Sequence, residues 1–143
     1  MTTTIVVADD HAVVRHGLRL LIDGEEGLQI VGEAETVPDA ERLTYAQRPT
    51  VLVLDLNMPG GSSLEAIPRL LTRAPETAIV VLTMQDDPAF ARQALRAGAL
   101  GYVLKEAADD ELLEAVRVVT TGGTYLNPVL AARLGAGPYP VIR

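Results

Sequence analysis

Four apolar, β-branched runs punctuate the chain: Thr4–Ala8, Val51–Leu54, Ala78–Leu82 and Leu100–Leu104. A fifth, Leu28–Val31, is more alternating. Runs this short read as strands, and those apolar on both faces read as strands buried in a parallel sheet. Helical spacing fills the intervals. It carries Val13, Val14, Leu18, Leu21 and Ile22, then Ala40 and Leu43, then Leu64, Ile67, Leu70 and Leu71. It returns with Phe90, Ala94, Leu95 and Ala97, and again with Leu112, Leu113, Val116 and Val119.

Start and stop signals agree with this division. Thr36 with Asp39, and Ser62 with Glu65, have the spacing of a capping box. Asp87-Pro88 reads as an N-cap followed by proline at the first helical position. Asp109 or Asp110 is expected to cap the last long helix, and Gly98 and Gly122-Gly123 fit helix stops. Tyr125–Leu134 is expected to form a short final helical segment. Gly135–Pro140 has the composition of a linker. Strand–helix alternation repeated in this way predicts an α/β fold, a doubly wound five-stranded parallel sheet sandwiched by helices.

Composition narrows the function. A chain of 143 residues makes one ordinary domain and can bury a core without a staple. It has no cysteine, which excludes a disulfide scaffold, a zinc–thiolate site and a cysteine nucleophile. The net charge of −7 makes the domain a poor nucleic-acid binder by itself, because phosphate contacts need clustered Lys and Arg. No apolar run approaches the roughly 18 residues of a membrane span. The start of the chain lacks a signal peptide's features, so a cytoplasmic protein with no membrane partner is expected. Among 12 basic residues Lys105 is the only lysine. Arg and Lys differ in shape and donor geometry, so its position matters.

The reactive side chains fall at strand ends. Asp9 and Asp10 follow the first strand, Asp55 the third, Thr83 the fourth and Lys105 the fifth. In an open parallel sheet the carboxyl ends of the strands share one edge, where ligands bind. Each residue has a plainer explanation alone: Asp10 as a helix cap, Asp55 as a loop residue, Thr83 as a strand residue, Lys105 as a solvated strand end. Their convergence on one rim outweighs those explanations. His11 and His16, five residues apart, do not share a helix face and make no zinc site. Dinucleotide, P-loop and nucleophile-elbow motifs are absent.

Crowded carboxylates repel one another, and a hard divalent cation relieves this. Mg²⁺ takes oxygen ligands and keeps several waters. A cation on carboxylates, with an ammonium and a hydroxyl opposite, makes a receptor for a phosphoryl group, and an aspartate can itself be the nucleophile.

These residues resemble the receiver domain of bacterial two-component response regulators. The resemblance rests on Asp9-Asp10-His11, the stretch Asp55–Pro59, Leu82-Thr83, the stretch Gly98–Tyr102, and Lys105, and covers Thr4 to about Leu134. The stretches Asp9–Leu18, Gly32–Thr36 and Gly122–Pro128 are similar to the NarL/FixJ (LuxR-type) subfamily. The resemblance implies a flavodoxin-like, CheY-like fold with strand order 2-1-3-4-5. It implies Asp55 as phosphoacceptor, with Mg²⁺ held by Asp10, Asp55 and the main-chain carbonyl of Asn57, and by Asp9 through water. Thr83 and Lys105 would bind phosphoryl oxygens, and Thr83 and Tyr102 would act as the switch. The chain would catalyse only its own phosphorylation and dephosphorylation and is not expected to be an enzyme otherwise. A phosphohydrolase built on Asp55 is disfavoured, since Asn57 lacks a general acid.

The implied partners are a sensor histidine kinase, a second copy on phosphorylation, and DNA only through a C-terminal helix-turn-helix domain outside this chain. Residues 1–134 are thus expected to be the phosphoacceptor receiver, and 135–143 a Gly/Pro linker stub. A stand-alone receiver acting through protein contacts, or as a phosphate sink, is the alternative. Two departures stand out. Glu106 follows Lys105 where many receivers have a cis proline, so no cis peptide is expected there. Gly61-Ser62-Ser63 replaces the glycine often found just before the third helix.

Overall fold

All five apolar runs become parallel strands in the computed structural model, which describes residues 2–134. The elements are β1 (Thr3–Ala8), α1 (Ala12–Asp23), β2 (Leu28–Ala34), α2 (Val37–Gln47), β3 (Val51–Leu54), α3 (Ser63–Arg73) and β4 (Ala78–Thr83). They continue with α4 (Pro88–Ala97), β5 (Gly101–Leu104), a 3₁₀ turn (Lys105–Ala107), α5 (Ala108–Thr120), β6 (Tyr125–Leu126) and α6 (Pro128–Arg133). The sheet order is β2-β1-β3-β4-β5-β6, every neighbouring pair parallel. Chain order turns back at β1, so the crevice above β1 and β3 is the switch point of the sheet.

Two-residue alternation divides each strand between two cores. Ile5, Val7, Val51, Val53, Val80, Leu82 and Val103 face Leu18 and Ile22 of α1 and Leu112, Val116 and Val119 of α5. Val6, Ala8, Leu52, Leu54, Ile79, Val81 and Tyr102 face α2, α3 and α4, where Ala40, Ile67, Leu70 and Ala94 meet them. Burial on both faces is why β3 and β4 are apolar throughout. Each fully buried Val, Leu or Ile contributes roughly 1.5–3 kcal/mol.

β2 breaks the alternation. Ile5 pairs with Ile30, but Val6 pairs with Gly32, leaving Val31 as an extra residue. Gly32 consequently turns toward Leu43 of α2, and Glu33, opposite Val7, turns to the α1 face. Bulges re-aim side chains in this way.

The expected caps form at Thr36, Ser62 and Asp87, whose side chains accept from the N–H groups of Asp39, Glu65 and Ala89. Two expectations fail. Neither Asp109 nor Asp110 caps α5, because the 3₁₀ turn after Lys105 carries the chain into the helix at Ala108. Both carboxylates fall in the first turn instead, where they complement the helix dipole. The sheet also has six strands, not five. Tyr125 is not helical: its N–H donates to the Leu100 carbonyl at 2.8 Å, adding β6 beside β5. The helical part starts only at Pro128, behind Asn127, whose side-chain oxygen caps Val129 and Leu130 while its amide donates to Glu111. The expected linker at 135–143 lies outside the described residues.

Gly98 ends α4 at φ 120°, and a Cβ there would come 2.4 Å from Leu71 Cδ1. Gly98→Ala is expected to lower stability by about 1–3 kcal/mol through positive-φ strain and displacement of Leu71. A lower urea midpoint with an unchanged slope checks this.

Candidate functional site

Two strand ends, those of β1 and β3, deliver the three acidic residues to the crevice above them. Asp9 and Asp55 are each only 1% exposed. Asp55 is held on both sides of its backbone: its N–H donates to the Ala8 carbonyl at 2.9 Å, and its carbonyl accepts from Ser63 Oγ at 2.7 Å. Its Oδ1 accepts the Asn57 N–H at 3.1 Å. Asp9 Oδ1 accepts the His11 N–H at 2.8 Å, which places the first turn of α1 against the carboxylate. Asp10 is therefore not the cap of α1. The N-cap is His11, and it makes no side-chain cap bond.

Lys105 reaches across from the end of β5. Its Nζ lies 2.8 Å from Asp9 Oδ2 and 3.1 Å from Asp55 Oδ2. One compact ammonium thus bridges two buried carboxylates. Burial pushes the Asp55 carboxyl pKa up and the charge of Asp9 adds to this, against the Asn57 N–H and Lys105. Burial opposes the Lys105 charge, but its hydrogen bonds to Asp9 and Asp55 outweigh that and raise its pKa. The Lys105–Glu106 peptide is trans.

Thr83 and Tyr102 meet at a single residue. Thr83 Oγ1 accepts from the Gln85 N–H at 3.2 Å, and Tyr102 donates from its hydroxyl to the Gln85 carbonyl at 2.7 Å. Both side chains are fully buried. Burial pushes the Tyr102 pKa far up, so its hydroxyl stays a neutral donor. The β4–α4 loop is therefore tied at one peptide to the site and at the next to the core.

The donor set fits a hard divalent cation. One ligand atom each from Asp9, Asp10, His11 and Asp55 lies within 4.8 Å of the others. Asp10 Oδ1 is buried and makes no hydrogen bond, with His11 Nδ1 3.1 Å away, so it has acceptor capacity left for a cation. Asp10 and Asn57 border one cleft of about 500 Å³, with Met58, Gln85 and Phe90 on its walls. The acidic cluster is thus capable of holding Mg²⁺.

Sequence reading missed Ser63 and His11. Ser63 was half visible, since one serine suffices to cap α3 and the chain has two. His11 Nδ1 lies 3.1 Å from both Asp9 and Asp10, a contact made by the tight turn into α1.

An open parallel sheet with a buried acidic pocket, one lysine and one threonine at its carboxyl edge defines a domain of the flavodoxin-like class with its candidate site at the switch point. Residues 5–117 match the family model of the response regulator receiver domain. The chain belongs to the response regulator receiver family, and its relatives bear out the NarL/FixJ (LuxR-type) resemblance. It is 40% identical over 131 residues to the oxygen regulatory protein NreC of Staphylococcus carnosus, covering 91% of this chain and 60% of that protein. The chain thus spans about three fifths of the length of the curated relatives it matches. A LuxR-family two-component response regulator from Aurantimonas sp. SI85-9A1 superposes with a TM-score of 0.87 at 35% identity, over 92% of this chain and 94% of that one. The isolated receiver domain of RcsB from Salmonella enterica serovar Typhimurium, solved in the presence of phosphomimetic BeF₃⁻, superposes with a TM-score of 0.85 at 28% identity, over 92% and 98%. Among the described residues no helix is long and apolar enough to cross a membrane.

Proposed function

We propose that Asp55 accepts a phosphoryl group from a phosphohistidine of a sensor histidine kinase, and that this switches the output surface of a DNA-binding transcriptional regulator. The observation that carries the reading is the single ammonium of Lys105 set between Asp9 and Asp55 on the rim of the sheet.

One carboxylate oxygen of Asp55 attacks phosphorus as the P–N bond to the imidazole breaks, and the electron pair leaves on the imidazole nitrogen. The product is an acyl phosphate on Asp55. Lys105 supplies a fixed positive charge for the phosphoryl oxygens, and little reorganisation is needed because the site already holds it. Asp10, Asp55 and the Asn57 carbonyl would hold Mg²⁺, with Asp9 acting through water. Mg²⁺ supplies charge neutralisation for the transferring group when bound. Thr83 turns its hydroxyl toward the new phosphate and releases the Gln85 N–H. That loosens the peptide to which Tyr102 is tied, and the change reaches α4 and β5.

The charge of −7 leaves DNA contacts to a helix-turn-helix domain outside this chain. The remaining partner of the switched face is a second copy. The domain turns over no substrate beyond its own phosphorylation and dephosphorylation, and it works in the cytoplasm beside its kinase.

Incubation with Mg²⁺ and a small acyl phosphate is expected to add the mass of one phosphoryl group, labile to hydroxylamine. Sedimentation of the same sample is expected to show a shift toward dimer. An unmodified mass in the presence of Mg²⁺ overturns the reading.

A further inference from the structure

Arg15 lies one turn into α1, yet its side chain is only 13% exposed. It does not point to solvent. Its Nη1 donates to the main-chain carbonyl of Asp9 at 2.6 Å. Its Nε donates to Glu33 Oε1 at 3.2 Å, and its Nη2 lies 3.5 Å from Glu35 Oε2. Glu33 is on this face only because the bulge at Val31 turned it there. Arg19 pairs with the other oxygen of Glu33.

The Asp9 carbonyl and the Asp10 N–H belong to one planar peptide. Fixing the carbonyl therefore fixes the plane from which Asp10 starts. The preceding peptide is already held, since the Asp9 N–H donates to the Ala34 carbonyl at 3.0 Å. The Asp9 carboxylate is held by His11 and Lys105. The Asp10 carboxylate is held more loosely: its buried Oδ1 lies 3.1 Å from His11 Nδ1 but makes no hydrogen bond. Arg15 adds a restraint on the backbone from which Asp10 starts, through a charge-assisted bond that is shorter and stronger than a neutral one.

We propose that Arg15 is a positioning residue: braced by Glu33 and Glu35, it clamps the Asp9–Asp10 peptide so that the Asp10 carboxylate is preset for a divalent cation. This rests on the cation reading of the acidic pocket given above. Partners one shell away from a metal ligand commonly change affinity about 10–100-fold.

Charge and positioning predict opposite signs here. A guanidinium near the pocket repels a cation, so losing its charge alone tightens Mg²⁺. Losing the clamp weakens it. The test is calorimetric titration of Mg²⁺ alone, far below the melting temperature, on wild type, Arg15→Met, Arg15→Lys and Arg19→Met. Arg15→Met is expected to bind Mg²⁺ about tenfold more weakly. Arg15→Lys, which keeps the charge but loses the fork, is expected to be weakened as well. Arg19→Met, which removes a charge nearby but touches Glu33 and not Asp9, is expected to bind as wild type or slightly tighter. Should Arg15→Met fail to fold, Glu33→Gln serves in its place and is expected to weaken Mg²⁺ by a smaller factor. Unchanged or tighter binding in Arg15→Met, or equal weakening in Arg19→Met, overturns the clamp. A wild type that binds no Mg²⁺ overturns the cation reading itself, and is told apart because it needs no variant.

Discussion

Asp55→Asn is expected to abolish phosphoryl uptake and, at neutral pH, to raise the thermal midpoint. The amide is a far poorer nucleophile than the carboxylate, so uptake from an acyl phosphate should fall roughly 10³-fold or more. The stability gain comes from the same residue. Burial and the charge of Asp9 raise the Asp55 pKa above its ordinary 3.8, so ionisation is less favourable in the fold than in the unfolded chain. Below 3.8 the group is protonated in both states and costs nothing. As pH rises through 3.8 and then through the higher folded value, stability is lost, and above that value the loss is complete. The variant removes this cost. Its advantage in urea midpoint over wild type should therefore be largest near pH 7 and shrink as pH falls toward 4. Added Mg²⁺ should stabilise wild type more than the variant. An Asp55→Asn protein that still takes up one phosphoryl group would move the acceptor elsewhere.

Lys105→Met is expected to destabilise the fold by about 2–3 kcal/mol. Removing one partner of a buried charge pair typically costs 3–5 kcal/mol, and the lower figure reflects the position of Lys105 at the solvent rim. It leaves Asp9 and Asp55, both buried, facing each other without an ammonium. Mg²⁺ should restore part of the loss, because a cation replaces the missing charge. Lys105→Arg separates charge from shape. It keeps the positive charge but puts a planar fork where a compact point charge now touches two oxygens. Its stability should stay near that of wild type, while phosphoryl uptake or the accompanying shift toward dimer is impaired. Chemical denaturation and acyl-phosphate labelling on the same preparations read both effects. An Lys105→Arg variant that labels and associates as wild type would make the single lysine an accident of composition.

The features legible in the sequence are those that one segment specifies alone. β3 and β4 are legible because burial on both faces demands an unbroken apolar run. The caps at Thr36, Ser62 and Asp87 are legible because a cap is a matter of spacing along one turn. Asp9, Asp55, Thr83 and Lys105 are legible because a parallel sheet brings its strand ends together whatever the strand order. What escaped depends on how segments meet. The two residues of β6 carry no periodicity, and only the neighbouring edge of β5 makes them a strand. The entry of α5 at Ala108 depends on the 3₁₀ turn after Lys105, not on the aspartates that follow. The side on which Glu33 emerges depends on a register slip against β1. Ser63 and His11 look like ordinary loop and helix-start residues until Asp55 and Asp9 are brought beside them.

The sixth strand has a consequence for solubility. A parallel sheet ending at β5 would present Gly101–Leu104, apolar and mostly buried in this fold, as a bare ladder of N–H and C=O groups open to strand addition by another chain. β6 covers part of that ladder and offers only two residues of its own before Asn127-Pro128 turns the backbone away. The opposite edge, β2, is longer but bulged, and it carries Gln29 and Glu33. Both margins of the sheet are thus made unattractive templates, one by brevity and one by distortion and charge. Copies of this domain can crowd together without extending one another's sheets, which leaves its helical faces as the surfaces on which association is decided.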